Sequence, residues 1–134
     1  MGFSLAAAAA IIGVAVLISM ELIVGITIPT ITDIQKSYDN MKDRSINQLQ
    51  TDIAITNAVF VEPNTLISVD NIGSTTINTS SCNILLNGVP KIFTCTLSNI
   101  HPEQTAIFSF AQRAEPGDII KIVTPNGISD YHEF

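Results

Sequence analysis

The spacing of hydrophobic positions along this chain changes twice. From Leu5 to Met20 the run LAAAAAIIGVAVLISM carries no charge, and Leu22 to Ile31 extends it past the single acid Glu21. Crossing a hydrocarbon core of about 30 Å takes roughly 20 helical residues, so the run is long enough to span. Alanine favours helix, and in lipid a helix satisfies its own backbone amides. Ala6, Ala9 and Gly13 recur at a spacing that suits close helix packing. Pro29 lacks an amide donor and is expected to kink or end this helix. From Asp33 to Gln50 the chain is polar and free of Pro and Gly. Ile34, Tyr38 and Met41 fall on one helical face, while Ile46, Leu49 and Ile53 make a second stripe, which predicts an imperfect amphipathic helix.

Beyond Thr51 the period becomes alternating. Strands are predicted at 52–61, 65–71, 75–78, 82–86, 91–97, 105–112, 119–124 and 128–131. They are separated by turn phrases such as Glu62-Pro63-Asn64, Asn71-Ile72-Gly73, Asn87-Gly88, Pro116-Gly117-Asp118 and Pro125-Asn126-Gly127. The expected architecture is an N-terminal transmembrane helix followed by an all-β, immunoglobulin-like antiparallel sandwich of about 7–8 strands. The expected domains are a membrane-spanning helix at 1–32, a helical linker at 33–51 and an extracytoplasmic β-sandwich at 52–134.

Charge narrows the partners. The 134 residues hold 12 acids and 6 bases, for a net charge of −6, and all but one unit of it lies beyond Thr51. That balance argues against nucleic acid and anionic lipid as partners of the tail. With 46% hydrophobic residues the chain is not a disordered one. No Lys or Arg precedes the apolar run, which reads as a retained anchor rather than a cleaved secretory signal. Lys36, Lys42 and Arg44, counted literally, would put the C-terminal side in the cytoplasm. The acidic β-rich tail, its two cysteines and the lone sequon Asn78-Thr79-Ser80 point the other way, and the tail is expected outside. Glu21 is costly at the bilayer centre, but near an interface it can snorkel.

Candidate chemistry is sparse. A two-residue turn at Asn87-Gly88 would set Cys82 opposite Phe93, whereas a four-residue loop would set it opposite Cys95. Cys82 and Cys95 on the arms of one hairpin favour a structural disulfide in an oxidising compartment, against the alternative of two buried free thiols. His101 and His132 show no metal-ligand spacing, and Ser129, Asp130 and His132 lie too close in sequence for triad roles. Asp70, Asp118 and Asp130 could line a Ca²⁺ site, although solvated turns account for them more simply. No enzyme activity, cofactor or metal is expected.

The order of motifs carries a resemblance. Met1-Gly2-Phe3-Ser4 running straight into an apolar helix, the stretch Ile67–Ile77, Leu86–Val89, Pro116–Asp118 and the ending Ile122–Tyr131 together resemble the archaellum (archaeal flagellum) accessory proteins F and G, with the opening closer to F. The resemblance implies a single-pass protein of the archaeal cell membrane, its β-domain beneath the S-layer. It implies a stator role in motility, attaching the rotary machine to the cell envelope through S-layer binding. The implied partners are S-layer protein and the archaellum G protein or other archaellum components; a homodimer is a further option. The alternative function is a G-type or pilin/archaellin-like filament subunit. The cysteine pair is not part of the family pattern. Strand addition at an edge is the expected mode of contact, at Ile128–Tyr131 or at Thr65–Asn71, with Ile128, Tyr131 and Phe134 as candidate interface residues; capping of the core is an equal alternative for Tyr131 and Phe134.

Overall fold

A computed structural model describes residues 1–134. Helical backbone runs from Gly2 to Gln50 in three stretches: α1 (Gly2–Leu22), a π-helical turn (Ile23–Thr27) and α2 (Ile28–Gln50). The helix continues through Pro29, so of the two expected effects, a kink or an end, the end does not occur. Pro29 cannot donate to the carbonyl of Gly25, and its ring would crowd that oxygen in a regular turn. Widening the preceding turn, with the Ile28 N–H bonded to the Ile23 carbonyl, absorbs the misfit. Ser19 Oγ donates to Ala15 O at 2.8 Å, Thr30 Oγ1 to Ile26 O at 2.7 Å and Thr32 Oγ1 to Ile28 O at 3.0 Å. These three hydroxyls are thus satisfied inside the helix, an arrangement compatible with apolar surroundings. By length and composition this helix can cross a membrane. The chain divides into two compact units, Met1–Asp43 and Arg44–Phe134.

The second unit holds ten strands: β1 (Ile53–Val61), β2 (Asn64–Asn71), β3 (Ile77–Asn78), β4 (Asn83–Leu86), β5 (Val89–Lys91), β6 (Phe93–Cys95), β7 (Asn99–Ile100), β8 (Thr105–Phe110), β9 (Ile119–Val123) and β10 (Ser129–Glu133). All ladders are antiparallel. The sheets run β1-β2-β8-β6 and β10-β9-β4-β5, with β3 and β7 in a small ladder of their own. Read as A-B-E-D and G-F-C-C′, this is the strand order of an immunoglobulin-like Greek key. The count exceeds the expected 7–8 for two reasons. The two-residue strand β7 carries little sequence signal, and the single strand expected at 91–97 breaks between β5 and β6, whereas β3 falls within the strand expected at 75–78. Exposed Ile92 marks where the chain leaves β5 in one sheet and enters β6 in the other.

The core is the alternation read across both sheets. Ile67 pairs with Phe108, Val69 with Ala106, Ile84 with Ile122 and Leu86 with Ile120, each buried. Phe93 stacks on Phe108 with ring centroids 5.4 Å apart, an attractive tilted geometry. Two buried polar residues hold loops to this core. Thr65 Oγ1 donates to Gln112 O at 2.6 Å and accepts from Ala114 N at 3.1 Å. Asn71 donates through Nδ2 to Thr75 O and Ile100 O and accepts from Gly73 N, so the residue expected in a turn is a buried hub.

The last turns of α2 belong to this unit, where the 72–75 loop caps the helix. Ser74 N donates to Gln50 O at 2.7 Å, while Ile72 N and Gly73 N both donate to Asp52 O at 3.1 Å. Thr51 Oγ1 donates to Asn47 O at 2.6 Å, meets Thr75 Oγ1 at 2.7 Å and accepts from Asn126 Nδ2 at 2.7 Å. Carbonyls left over at a helix C-terminus thereby find partners in the β-domain. Ile53, assigned above to a helical stripe, is instead the buried first residue of β1.

Candidate interaction surface

An immunoglobulin-like sandwich leaves four strands at sheet edges, and here they are unequal. β5 is three residues long and contains Pro90, which cannot donate to an added strand. β6 is also three residues long. β1 carries a bulge between Ile55 and Asn57 that interrupts its register. β10 is a regular five-residue edge strand paired to β9 throughout. The other expected edge, Thr65–Asn71, is wrong: it forms most of β2, whose two backbone edges are taken by β1 and β8.

Along β10 the side chains divide by alternation. Tyr131 lies on the outer row with Lys121, Leu85 and Pro90. It is 57% exposed, with Lys121 Nζ 4.8 Å from its ring centroid. A hydrogen bond to Lys121, and then the charge of that ammonium, hold the Tyr131 phenol below its usual range. Asp130 lies on the other face, where its Oδ2 accepts the Ile55 N–H at 2.7 Å and satisfies a backbone donor beside the bulge. The remaining two candidates are engaged within the domain. Ile128 is half-buried and closes the β9–β10 turn, its N–H donating to Thr124 Oγ1 at 3.1 Å and its carbonyl accepting from Thr124 N at 2.8 Å. Phe134 packs against the core and exchanges hydrogen bonds of 2.9 Å with Asp118 and Gly117.

The other candidates scatter. Asp70 accepts from Thr105 Oγ1 at 2.6 Å. Asp118 accepts from Glu115 N at 2.8 Å and Asn87 Nδ2 at 2.7 Å, and these bonds, in that order, hold its carboxyl below the usual range. With Asp130 on Ile55, the three acids serve three separate turns or edges and form no common cage. No group of three His, Cys, Asp or Glu side chains is placed to hold a metal, and every buried polar side-chain atom has a hydrogen-bond partner. A cleft lined by Arg44, Asn47, Gln48, Pro125, Asn126 and Gly127 lacks any carboxylate, imidazole or thiol.

The cysteines sit differently from either hairpin register. Asn87 and Gly88 both adopt positive φ, and Leu86 pairs with Val89 across a two-residue turn. The four-residue loop that would place Cys82 opposite Cys95 is not formed. After Lys91 the arms part, so Cys82 precedes β4 in one sheet and Cys95 ends β6 in the other. Both thiols are free and both contribute to the common core, Cys82 buried and Cys95 half-buried. Burial pushes the Cys82 thiol up to about 11, with Cys95 adding to the rise.

What the two units define is a β-sandwich of immunoglobulin type on a chain whose helix can cross a membrane, with β10, which also lies against β1, as its most regular edge strand. By sequence the chain matches no protein-family model and no curated protein. By structure it is similar to the archaellum periplasmic stator protein FlaG from Sulfolobus acidocaldarius, with TM-score 0.55 and 20% identity over 63% of this chain and 99% of that one. The archaellum periplasmic stator protein complex FlaF and FlaG from the same organism gives TM-score 0.49 and 20% identity over 61% and 87%. The first of these likenesses is one of fold.

Proposed function

We propose that this chain is a membrane-tethered, non-enzymatic stator component of an archaellum, with its β-domain outside the membrane, bound to the S-layer. The observation that carries the reading is the pairing of two features in one chain. The sandwich shares the fold of a periplasmic archaellum stator protein over nearly all of that protein, and the chain also contains a helix able to anchor it. The order of sequence motifs points to the same family independently. A stator must hold a fixed position under torque, which calls for an anchor and a load-bearing contact rather than a catalytic pocket. No convergent acid–base or metal constellation competes with that reading.

The contact is assigned to β10. It ends its sheet, and Tyr131 supplies an exposed aromatic contact on its outer face. The partners are S-layer protein and a second archaellum component of G type. Detergent-solubilised full-length chain, immobilised and challenged with solubilised S-layer and with sheared filaments, tests the reading. Capture of S-layer protein, reduced about tenfold or more by Tyr131→Ala, is the expected result; a loss of that size corresponds to about 1.4 kcal/mol, more than the ~1 kcal/mol below which most interface residues fall on truncation. Capture of filament alone would replace the envelope anchor with a filament-associated subunit. Capture of neither would remove the stator assignment.

A further inference from the structure

The segment that follows β3 is built around Thr79. This side chain is 4% exposed, and its Oγ1 donates to Leu97 O at 2.7 Å and Ser98 O at 3.0 Å. Its N–H also donates to Ser98 O at 3.1 Å, and its carbonyl accepts from Cys82 N at 3.1 Å. With Thr79 fixed inward, the residues on either side of it, Asn78 and Ser80, are exposed. Asn78 Oδ1 accepts two hydrogen bonds from Ser80, from its N–H at 3.0 Å and from its hydroxyl at 2.6 Å. The carboxamide is therefore held by its oxygen, while Nδ2 has no protein partner.

Asn-x-Ser with x other than Pro is the acceptor pattern for an N-linked glycan. No other asparagine in the chain has Ser or Thr two residues on. An amide nitrogen is a poor nucleophile because its lone pair is delocalised into the carbonyl. Hydrogen bonds donated to Oδ1 draw electron density onto that oxygen and make the Nδ2 protons easier to remove. The turn thus presents the one atom that must react and polarises the group that carries it. It lies beside the β3–β7 ladder, which is separate from the sheet that contains β10.

We propose that Asn78 is the attachment site of an N-linked oligosaccharide. The donor is a lipid-phosphate-linked oligosaccharide, used by a membrane-bound oligosaccharyltransferase on the outer face. Asn78 Nδ2 attacks the anomeric carbon, and the Nδ2–C1 bond forms as the C1–O bond to phosphate breaks. The electron pair leaves with the lipid phosphate, and the Nδ2 proton passes to a base on the transferase. The proposal rests on the extracytoplasmic placement of the β-domain given above.

Full-length chain purified from the membranes of the cells that make it, digested and mapped by mass spectrometry, tests the site. The Asn78 peptide is expected to carry a series of sugar increments. These are absent from Asn78→Gln and Ser80→Ala and retained in Ser80→Thr, which keeps the hydroxyl and controls for folding. Protease accessibility of the β-domain in intact, osmotically stabilised cells is read in parallel. An accessible domain with bare Asn78 overturns the glycan and leaves the stator reading standing. A protected domain with bare Asn78 overturns both the placement and the glycan.

Discussion

Cys82 and Cys95 show how far one side chain's chemistry depends on its surroundings. Cys82 is raised to about 11 first by burial and then by its neighbour. At neutral pH it is a thiol, and thiols are poor nucleophiles. Cys95 is the more exposed of the two. In reduced native protein, iodoacetamide is expected to label Cys95 first; Cys82 should resist until the pH approaches 11 or the domain unfolds, read by peptide mass. The sign follows from a raised value: the thiolate fraction of Cys82 grows only as pH climbs toward it. The segments carrying the two sulfurs are tied together by the Asn78–Asn99 pair and by Thr79 on Ser98. In protein treated with oxidised glutathione at neutral pH, Cys95 is therefore expected to form the mixed disulfide, and Cys82 to displace the second glutathione thiol only as the pH is raised toward 11. A map that still stops at glutathione on Cys95 near that pH would sink the pairing expected from sequence.

At the scale of elements, the junction of α2 with the β-domain is the most tightly specified feature. Gly73 lies so close to Asp52 N and Gln50 O that an added Cβ would fall well inside van der Waals contact with both, and both are backbone atoms. Neither can rotate away, so the loop itself would have to move and would loosen the Ser74 bond to Gln50. Gly73→Ala is expected to cost ~2–3 kcal/mol, a typical overpacking penalty, and to lower Tm by ~10–20 °C for a domain of this size. Gly13→Ala, with nothing near its added methyl group, should leave Tm unchanged. Equal Tm values for the two variants would show that the loop does not bear on the helix end. The π-helical turn before Pro29 makes the same point in reverse. There the backbone had room to widen, and a residue expected to kink or end the helix was absorbed within it.

For the molecule as a whole, the two units Met1–Asp43 and Arg44–Phe134 differ in what they bury. The first unit has no buried side chain and a long apolar surface, whereas the second has its own core around Ile67, Phe108, Ile84 and Ile122. Residues 44–134 expressed alone are therefore expected to be soluble and to unfold in one cooperative transition with strand-type circular dichroism. A tail that aggregates without such a transition would overturn the two-part architecture. The acidic excess lies in this same tail, which favours solubility and disfavours polyanionic partners.

The sequence alone determined the class of each part. An uncharged run of that length has few fates besides a membrane helix, and period-two alternation between turn phrases has few besides a sandwich, since each follows from which solvent a side chain faces. Val61 and Leu86 were placed correctly as strand ends, whereas Asn64, expected in the turn, opens β2, and of the two loops considered at Asn87-Gly88 the two-residue one forms. Partnership across the sheets was not legible. Whether Thr65–Asn71 lies inside or at an edge, whether 91–97 is one strand or two, and which atoms face Cys82 depend on segments distant in the chain. The alternation of β2 looks the same with one neighbour or two. Asn71 read as a turn residue because its side-chain partners, Thr75 and Ile100, meet it only once β3 and β7 have paired. Thr79 shows the same dependence: only the fold buries its side chain and so leaves Asn78 and Ser80, bonded to each other, at the surface.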